Sequence, residues 1–324
     1  MNYQDFVYGH ADIDEPVLIE LINTAAMQRL KGVLQHGITA FLGITRPITR
    51  FEHSVGAMLL ARHFKAPLTE QIAALLHDVS HTAFSHVTDH VFSTPTGESF
   101  HEIMKETYLR QSDIPQTLAR YGYDWRDFLD DSVYPILERP APSLCADRLD
   151  YFFRDSLALE IITHEMVTYM LSHLVIWEKQ IVVNNLAAAR LLAEAYIQAD
   201  EQSWSSLQAI GLYQLTASAI RRALEVHAIQ EIDVWGTDNE LWDKLMASQD
   251  SILKDQIAGL SSTAHFVEAA ENPLFVVTPK IRTVDPFVLI DGHLAPLSAL
   301  DAAYWQRREV YLEKRQRPFA FQRE

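Results

Sequence analysis

The chain has 324 residues, 48% of them hydrophobic and 22% charged, with only 11 Gly and 13 Pro; that composition builds a large globular core and excludes disorder, collagen-like repeats and solenoids. Its single cysteine, Cys145, excludes an intrachain disulfide and a cysteine-rich zinc site, and fits a reducing cytoplasm. With 27 Lys+Arg against 43 Asp+Glu the formal net charge is -16, a surface that repels duplex nucleic acid but admits a small anion wherever a metal and a few arginines make a local positive pocket.

The opening MNYQDFVYGHADIDEP has neither a basic start nor an apolar run, so no secretory signal is expected, and no stretch approaches the ~20 apolar residues of a membrane span. Residues 16–36 repeat apolar positions at three and four (Val17, Leu21, Ile22, then Met27, Leu30, Leu34), which predicts a helix. Helices are also predicted over 51–65 and, behind Pro67, over 68–77. The Ser/Thr/Pro/Gly-rich segment 93–99 reads as a loop before a helix starting near Phe100. Segment 174–185 has β-branched runs on either side of Glu178-Lys179-Gln180, predicting a hairpin. Segment 273–293 alternates but is interrupted by prolines, which predicts edge or irregular strand. Residues 186–227 and 238–260 read as helical. The basic stretch RREVYLEKRQRPF reads as a solvated helix end, with a subunit contact as the alternative. A boundary near 175 divides a helical core (1–175) from a mostly helical extension with short strands (176–324); the fold class expected is all-α with a small hairpin or sheet.

Histidine is unevenly placed. His53, His63, His77, His81, His86, His90 and His101 crowd one segment, and the pair His77-Asp78 closes the apolar helix IAALLHD. Asp147 opens the run DRLDYFFRD much further on. Imidazole nitrogen with carboxylate oxygen suits Mn, Fe, Co, Ni or Zn, and two carboxylates also admit Mg. A His-Asp pair at a helix end can offer both side chains to one ion, whereas mid-helix neighbours diverge by about 100°. Such an ion activates water and neutralises charge on a phosphate.

The stretch IAALLHDVSHTAFSHVTDH resembles the HD superfamily, most closely its deoxynucleoside-triphosphate triphosphohydrolase branch, whose motif runs HDLGHGPFSH. RFEHSVGAMLLA resembles the branch's first histidine motif, ADRLDYFFRD its closing aspartate motif, and residues 5–37 its opening. By position the resemblance, which covers about residues 4–160, implies His53, His77, Asp78 and Asp147 as metal ligands. It implies His81, Asp89 and His101 beside the reacting phosphate, Arg50 and Arg148 on the phosphates, and Gln35, Tyr151 and Asp155 on the sugar. Asp147, Tyr151 and Asp155 are spaced i, i+4, i+8, so they share one helix face. Two departures stand out. Ser80 replaces the motif's glycine, and the segment 189–200 keeps Arg190 and Tyr196 but has Leu192 where the branch has a histidine.

The expected function is metal-dependent hydrolysis of a phosphate ester, with mono- and triphosphate release both open; a small phosphorylated substrate, a nucleotide or deoxynucleotide, is expected, and a homo-oligomer is allowed. One divalent ion is expected, and His81, His86 and His101 could ligate a second, as in a di-iron oxygenase. A non-catalytic nucleotide sensor is the third reading. His86 stays open between fold and site, as do His10 and His36; Tyr151 could equally be core. His63 and His90 read as packing or surface residues, and Glu52 and Arg154 as local salt bridges.

Overall fold

Helices carry most of the chain, and their ends fall where capping residues stand. The computed structural model describes residues 1–92, 99–269, 271–278 and 280–324; the loop expected over 93–99 lies outside them apart from Ser99. A hairpin of β1 (Asn2–Asp5) and β2 (Gly9–Asp12) precedes α1 (Pro16–Ile22), α2 (Ala25–Arg29) and α3 (Ile38–Phe41). The helix expected over 16–36 is therefore broken. Thr24 caps α2 by accepting from the Met27 N–H, and a 3-10 turn at Leu30–Gly32 ends it. Gly37 then turns the chain at φ 49°, where a Cβ would fall 2.4 Å from the Phe84 carbonyl oxygen. Gln35 and His36 thus sit in a turn.

The centre is α4 (Arg50–His63) packed on α5 (Leu68–Leu76), both buried over most of their length. A capping box of Thr49 and Glu52 opens α4, so Glu52 serves the helix end rather than an ion pair. Then come α6 (Val87–Val91), α7 (Phe100–Gln111), α8 (Ile114–Arg120), α9 (Ala146–Ala158), which returns against α4, and α10 (His164–His173).

The expected hairpin forms from β3 (Leu174–Trp177) and β4 (Gln180–Val183), with Glu178 and Lys179 at φ 47° and 61°. α11 (Leu186–Ala199) runs through a π-helical turn at Asp200–Trp204 toward α12 (Leu207–Glu225), α13 (Asp238–Ala247) and α14 (Ser251–Ala258). The remainder is β5 (Phe266–Glu268), β6 (Phe275–Val277), β7 (Phe287–Ile290), β8 (His293–Pro296), α15 (Leu297–Leu300), α16 (Ala302–Arg315) and β9 (Phe319–Arg323). An all-α class is too strict, because β3-β4-β7-β8 and β5-β9-β6 form two further small sheets, with β4 parallel to β7. Short β-branched runs such as Ile181–Val183 and Phe275–Val277 favour strand, and Pro286 and Pro296 keep β7 and β8 short.

Two apolar cores result, and both draw on residues from each side of 175. One joins α1, α4, α5, α9 and α11 to Val284, Val288, Leu297, Tyr304 and Tyr311. The other sets Ile38, Ala83, Phe84 and Val87 against α12–α14, Phe266 and Phe321. The basic stretch is a helix end but not wholly solvated: Arg315 is 2% exposed and pairs with Asp200 at 2.8 Å. No helix among the described residues is long and apolar enough to cross a membrane.

Candidate metal centre

Three elements meet beneath α4. Arg50 and His53 come from α4 itself, His77 caps α5 with Asp78 next in the chain, and Asp147 lies in the first turn of α9. The four expected ligands converge: His53 Nε2 and His77 Nε2 are 3.2 Å apart, with Asp147 Oδ1 at 3.0 and 3.4 Å from them. An Asp78 oxygen approaches each histidine Nε2 to 3.5 Å.

The hydrogen bonds behind these groups decide what they can hold. His53 Nδ1 donates to Asp150 Oδ2 at 2.8 Å and His77 Nδ1 to the Ala74 carbonyl at 2.8 Å. Each Nε2 is then a bare lone pair aimed at the other and at two carboxylates. Such an arrangement in a buried place is unfavourable unless a cation or protons lie between the groups. Bonds of about 2.1 Å to a divalent ion set neighbouring ligands about 3 Å apart, close to the spacings here. The residues fit a divalent ion. Protons can serve the same end: burial opposes charging His77, but Asp78 and Asp147 outweigh it and push its pKa up to about 10. Burial likewise opposes ionising Asp147, yet His53 and His77 hold it well below the usual carboxylate range.

The partners of His53 are what the sequence reading missed. Asp150 is fully buried and clamped by Arg154, whose Nε donates to Oδ2 at 2.7 Å, while Arg154 Nη2 reaches Asp5 Oδ2 at 2.8 Å. The i, i+4 spacing of Asp150 and Arg154 signals their pairing; that the pair faces His53 follows only from the packing of α4 on α9. A carboxylate on the far nitrogen fixes a ligand histidine's tautomer and ring direction.

Beside this centre lies a histidine cluster. His81 stacks on His101 with ring centroids 3.6 Å apart, and His86 stands edge-on to His81 at 5.0 Å. His81 Nε2 is 3.3 Å from Asp78 Oδ1. Burial pushes both His81 and His101 well below the usual imidazole range. Asp89 bonds not to His81 but to His86, Oδ2 to Nδ1 at 3.0 Å, and its Oδ1 accepts the Phe100 N–H at 2.7 Å. His86 is partly exposed where His81 is buried, so the imidazole that Asp89 orients is the accessible one. Ser80 takes the motif's glycine position without strain, since its φ is not positive, and its hydroxyl donates to the His101 carbonyl at 3.0 Å.

The expected substrate residues divide. Arg50 donates to Asp78 Oδ2 at 2.6 Å and to Ser85 Oγ at 3.0 Å, orienting a ligand. Arg148 is turned to the Arg139 and Ser143 carbonyls, at 3.1 and 2.6 Å. Tyr151 lies near His53, edge-on to Trp204 and hydrogen-bonded to Tyr196. Asp155 Oδ2 accepts from Trp204 Nε1 at 2.7 Å, and its Oδ1 is 2.9 Å from His36 Nε2. Gln35 Oε1 is buried with no hydrogen-bond partner among the described residues. His63 packs edge-on to Phe64, His90 contacts Gln214, and His10 stays on the N-terminal hairpin.

Cys145 approaches Glu138 and Asp147, and burial pushes its thiol up to about 12, so the free thiol is neutral and unreactive at neutral pH. A thiol reagent at pH 8 is expected to label Cys145 only after unfolding; rapid labelling of the native protein would contradict this.

The HD domain family matches residues 50–133. The chain is 36% identical over 321 residues to the metal-dependent phosphohydrolase cns2 of Cordyceps militaris, covering 96% of this chain and 92% of that protein. It is 33% identical over 210 residues to the deoxynucleoside triphosphate triphosphohydrolase SAMHD1 of Danio rerio, covering 49% of this chain and 34% of that protein. A solved phosphohydrolase from Bacteroides thetaiotaomicron shares the fold at a TM-score of 0.70 and 18% identity, over 93% of this chain and 94% of that one. Together with the converging histidines and aspartates, these likenesses make the chain an enzyme of the HD-domain family of metal-dependent phosphohydrolases.

Proposed function

We infer that the enzyme removes one phosphoryl group from a nucleotide or a closely similar phosphate ester. The observation that carries this reading is the pair of imidazoles His53 and His77 with carboxylate oxygens of Asp78 and Asp147 at 3.0–3.5 Å from them, beside the partly exposed His86–Asp89 pair. A divalent ion, when bound, supplies charge against the phosphoryl oxygens and activates water. The chain's own groups do the rest. Asp150 and Ala74 hold the two ligand imidazoles, and Arg50 holds Asp78. His86, with Nδ1 fixed by Asp89, offers Nε2 to the leaving oxygen as proton donor. Buried His81 and His101 back it. Gln35, Tyr151 and Asp155 lie to the side suited to a sugar, and the likeness to a nucleotide-hydrolysing relative favours a nucleoside there.

Removal of a single phosphoryl group is favoured because cations that would meet a longer polyphosphate are engaged. Arg190 is paired with Asp301, Arg148 with loop carbonyls, and Leu192 is sealed in the core. The test is product identification with Mn-loaded protein across nucleoside mono-, di- and triphosphates. Orthophosphate from a monophosphate is expected; triphosphate release would overturn the single-group reading, and no product from any phosphate would overturn the whole.

A second reading rests on His81, His86 and His101, whose ring nitrogens lie within 4.8 Å of one another. Two irons per chain with a mixed-valence signal would favour a di-iron oxygenase; one ion per chain with phosphate release would exclude it.

A further inference from the structure

We propose that the guanidinium of Arg282, carried by the segment between β6 and β7, binds the phosphoryl oxygens of the substrate, so that the C-terminal extension completes the active site. This rests on reading the site as one for phosphate esters.

Arg282 is half-buried, and among the described residues its side chain has neither a hydrogen bond nor an ion pair. In a chain with a formal charge of -16 such a cation is conspicuous, because spare carboxylates are plentiful. The arginines nearest the centre are committed: Arg50 to Asp78, Arg154 to Asp150 and Asp5, Arg148 to carbonyls. Withdrawing a guanidinium from water without a partner is costly, and an anionic ligand is the partner it lacks.

Its location points to the same ligand. Tyr311, which holds the Arg282 backbone, bonds Asp200 of the π-helical turn, and Trp204 of that turn stands edge-on to Tyr151 and donates to Asp155 at 2.7 Å. Tyr213 Oη donates to the His36 carbonyl at 3.0 Å, and His36 Nε2 is 2.9 Å from Asp155 Oδ1. These contacts set the Arg282 segment on the Tyr151–Asp155 side of the metal centre.

The backbone beneath it is fixed. Tyr311 Oη accepts the Arg282 N–H at 3.2 Å and lies 2.7 Å from the Arg282 carbonyl oxygen. The same hydroxyl is 2.9 Å from Asp200 Oδ2, and buried Arg315 holds that carboxylate at 2.8 Å. Thr283, Val284 and Asp285 are buried, and the Asp285 N–H donates to the Pro142 carbonyl at 3.0 Å. An anchored main chain bearing one unpaired planar cation suits bidentate capture of two phosphate oxygens.

The test compares wild type, Arg282→Gln and Arg282→Lys as full-length, Mn-loaded proteins, with inorganic phosphate as the calorimetric probe. Arg282→Gln should weaken phosphate binding about tenfold or more, with metal content and Tm unchanged, and Arg282→Lys should recover part of the loss. With a hydrolysed ester, KM should rise more than kcat falls. Phosphate affinity equal to wild type in Arg282→Gln would overturn the proposal, as would loss of the metal or of thermal stability in that variant. Because phosphate binding is read without turnover, the two ideas separate. A wild type that binds phosphate through Arg282 yet hydrolyses no ester would refute only the functional reading. A wild type that hydrolyses esters while Arg282→Gln binds phosphate undiminished would refute only the role of Arg282.

Discussion

Replacing His77 or Asp78 by alanine is expected to lower kcat/KM on the order of a thousandfold or more and to empty the site of metal. Both side chains aim at the same small space as His53 Nε2 and Asp147 Oδ1, so losing either leaves three ligands where the fold has set four. Asp78 carries the larger burden, because its two oxygens also face His81 and Arg50, at 3.3 and 2.6 Å. Metal analysis, circular dichroism and turnover on one preparation check the prediction. Chelation of the wild type should abolish activity, and added Mn should restore it. A variant with full activity and no metal would contradict the assignment.

Gly56→Ala is expected to destabilise the fold by about 3–5 kcal/mol and to weaken metal binding by about 10–100-fold. A Cβ at this position would fall 1.8 Å from Arg154 Nη2 and 2.1 Å from Asp150 Oδ1. Neither atom can yield cheaply. Arg154 is 1% exposed and tied to Asp5 and Asp150, and Asp150 holds His53 Nδ1. Relief requires either parting α4 from α9, which separates His53 from Asp147, or breaking a buried ion pair. Urea titration and metal-binding isotherms would show both effects. Gly43→Ala is the control: its positive φ, 73°, adds a backbone strain that Gly56 does not carry, but nothing lies within 4 Å of its Cβ. Its metal affinity should not change, and a Gly56→Ala protein as stable as wild type would show that the close approach of α4 and α9 is unimportant.

Much of the centre was legible because its signals are local. The place of His77-Asp78 at a helix end, and of Asp147, Tyr151 and Asp155 on one face of α9, follows from the helical period, while their joint role came from the motif resemblance. What escaped depends on contacts between distant segments. Nothing near Asp150 announces that it orients His53, and nothing around Arg282 marks its side chain as unpaired. Arg148 shows the converse. Its place in the motif suggested a phosphate ligand, yet the loop at 139–143 presents carbonyls that occupy it. The helix expected over 16–36 failed because apolar spacing continued through Thr24 and up to Gly37, where capping and a positive φ decide instead. The short strands β6 and β7 were foreseen only as irregular, since three- and four-residue strands are set by their neighbours more than by their own residues.

Diffraction from Mn-loaded crystals at the manganese absorption edge would locate the ion directly. The expected result is a strong anomalous peak bonded to His53 Nε2, His77 Nε2, Asp78 and Asp147. No peak there, or manganese held only elsewhere on the molecule, would contradict the metal centre on which the proposed chemistry depends.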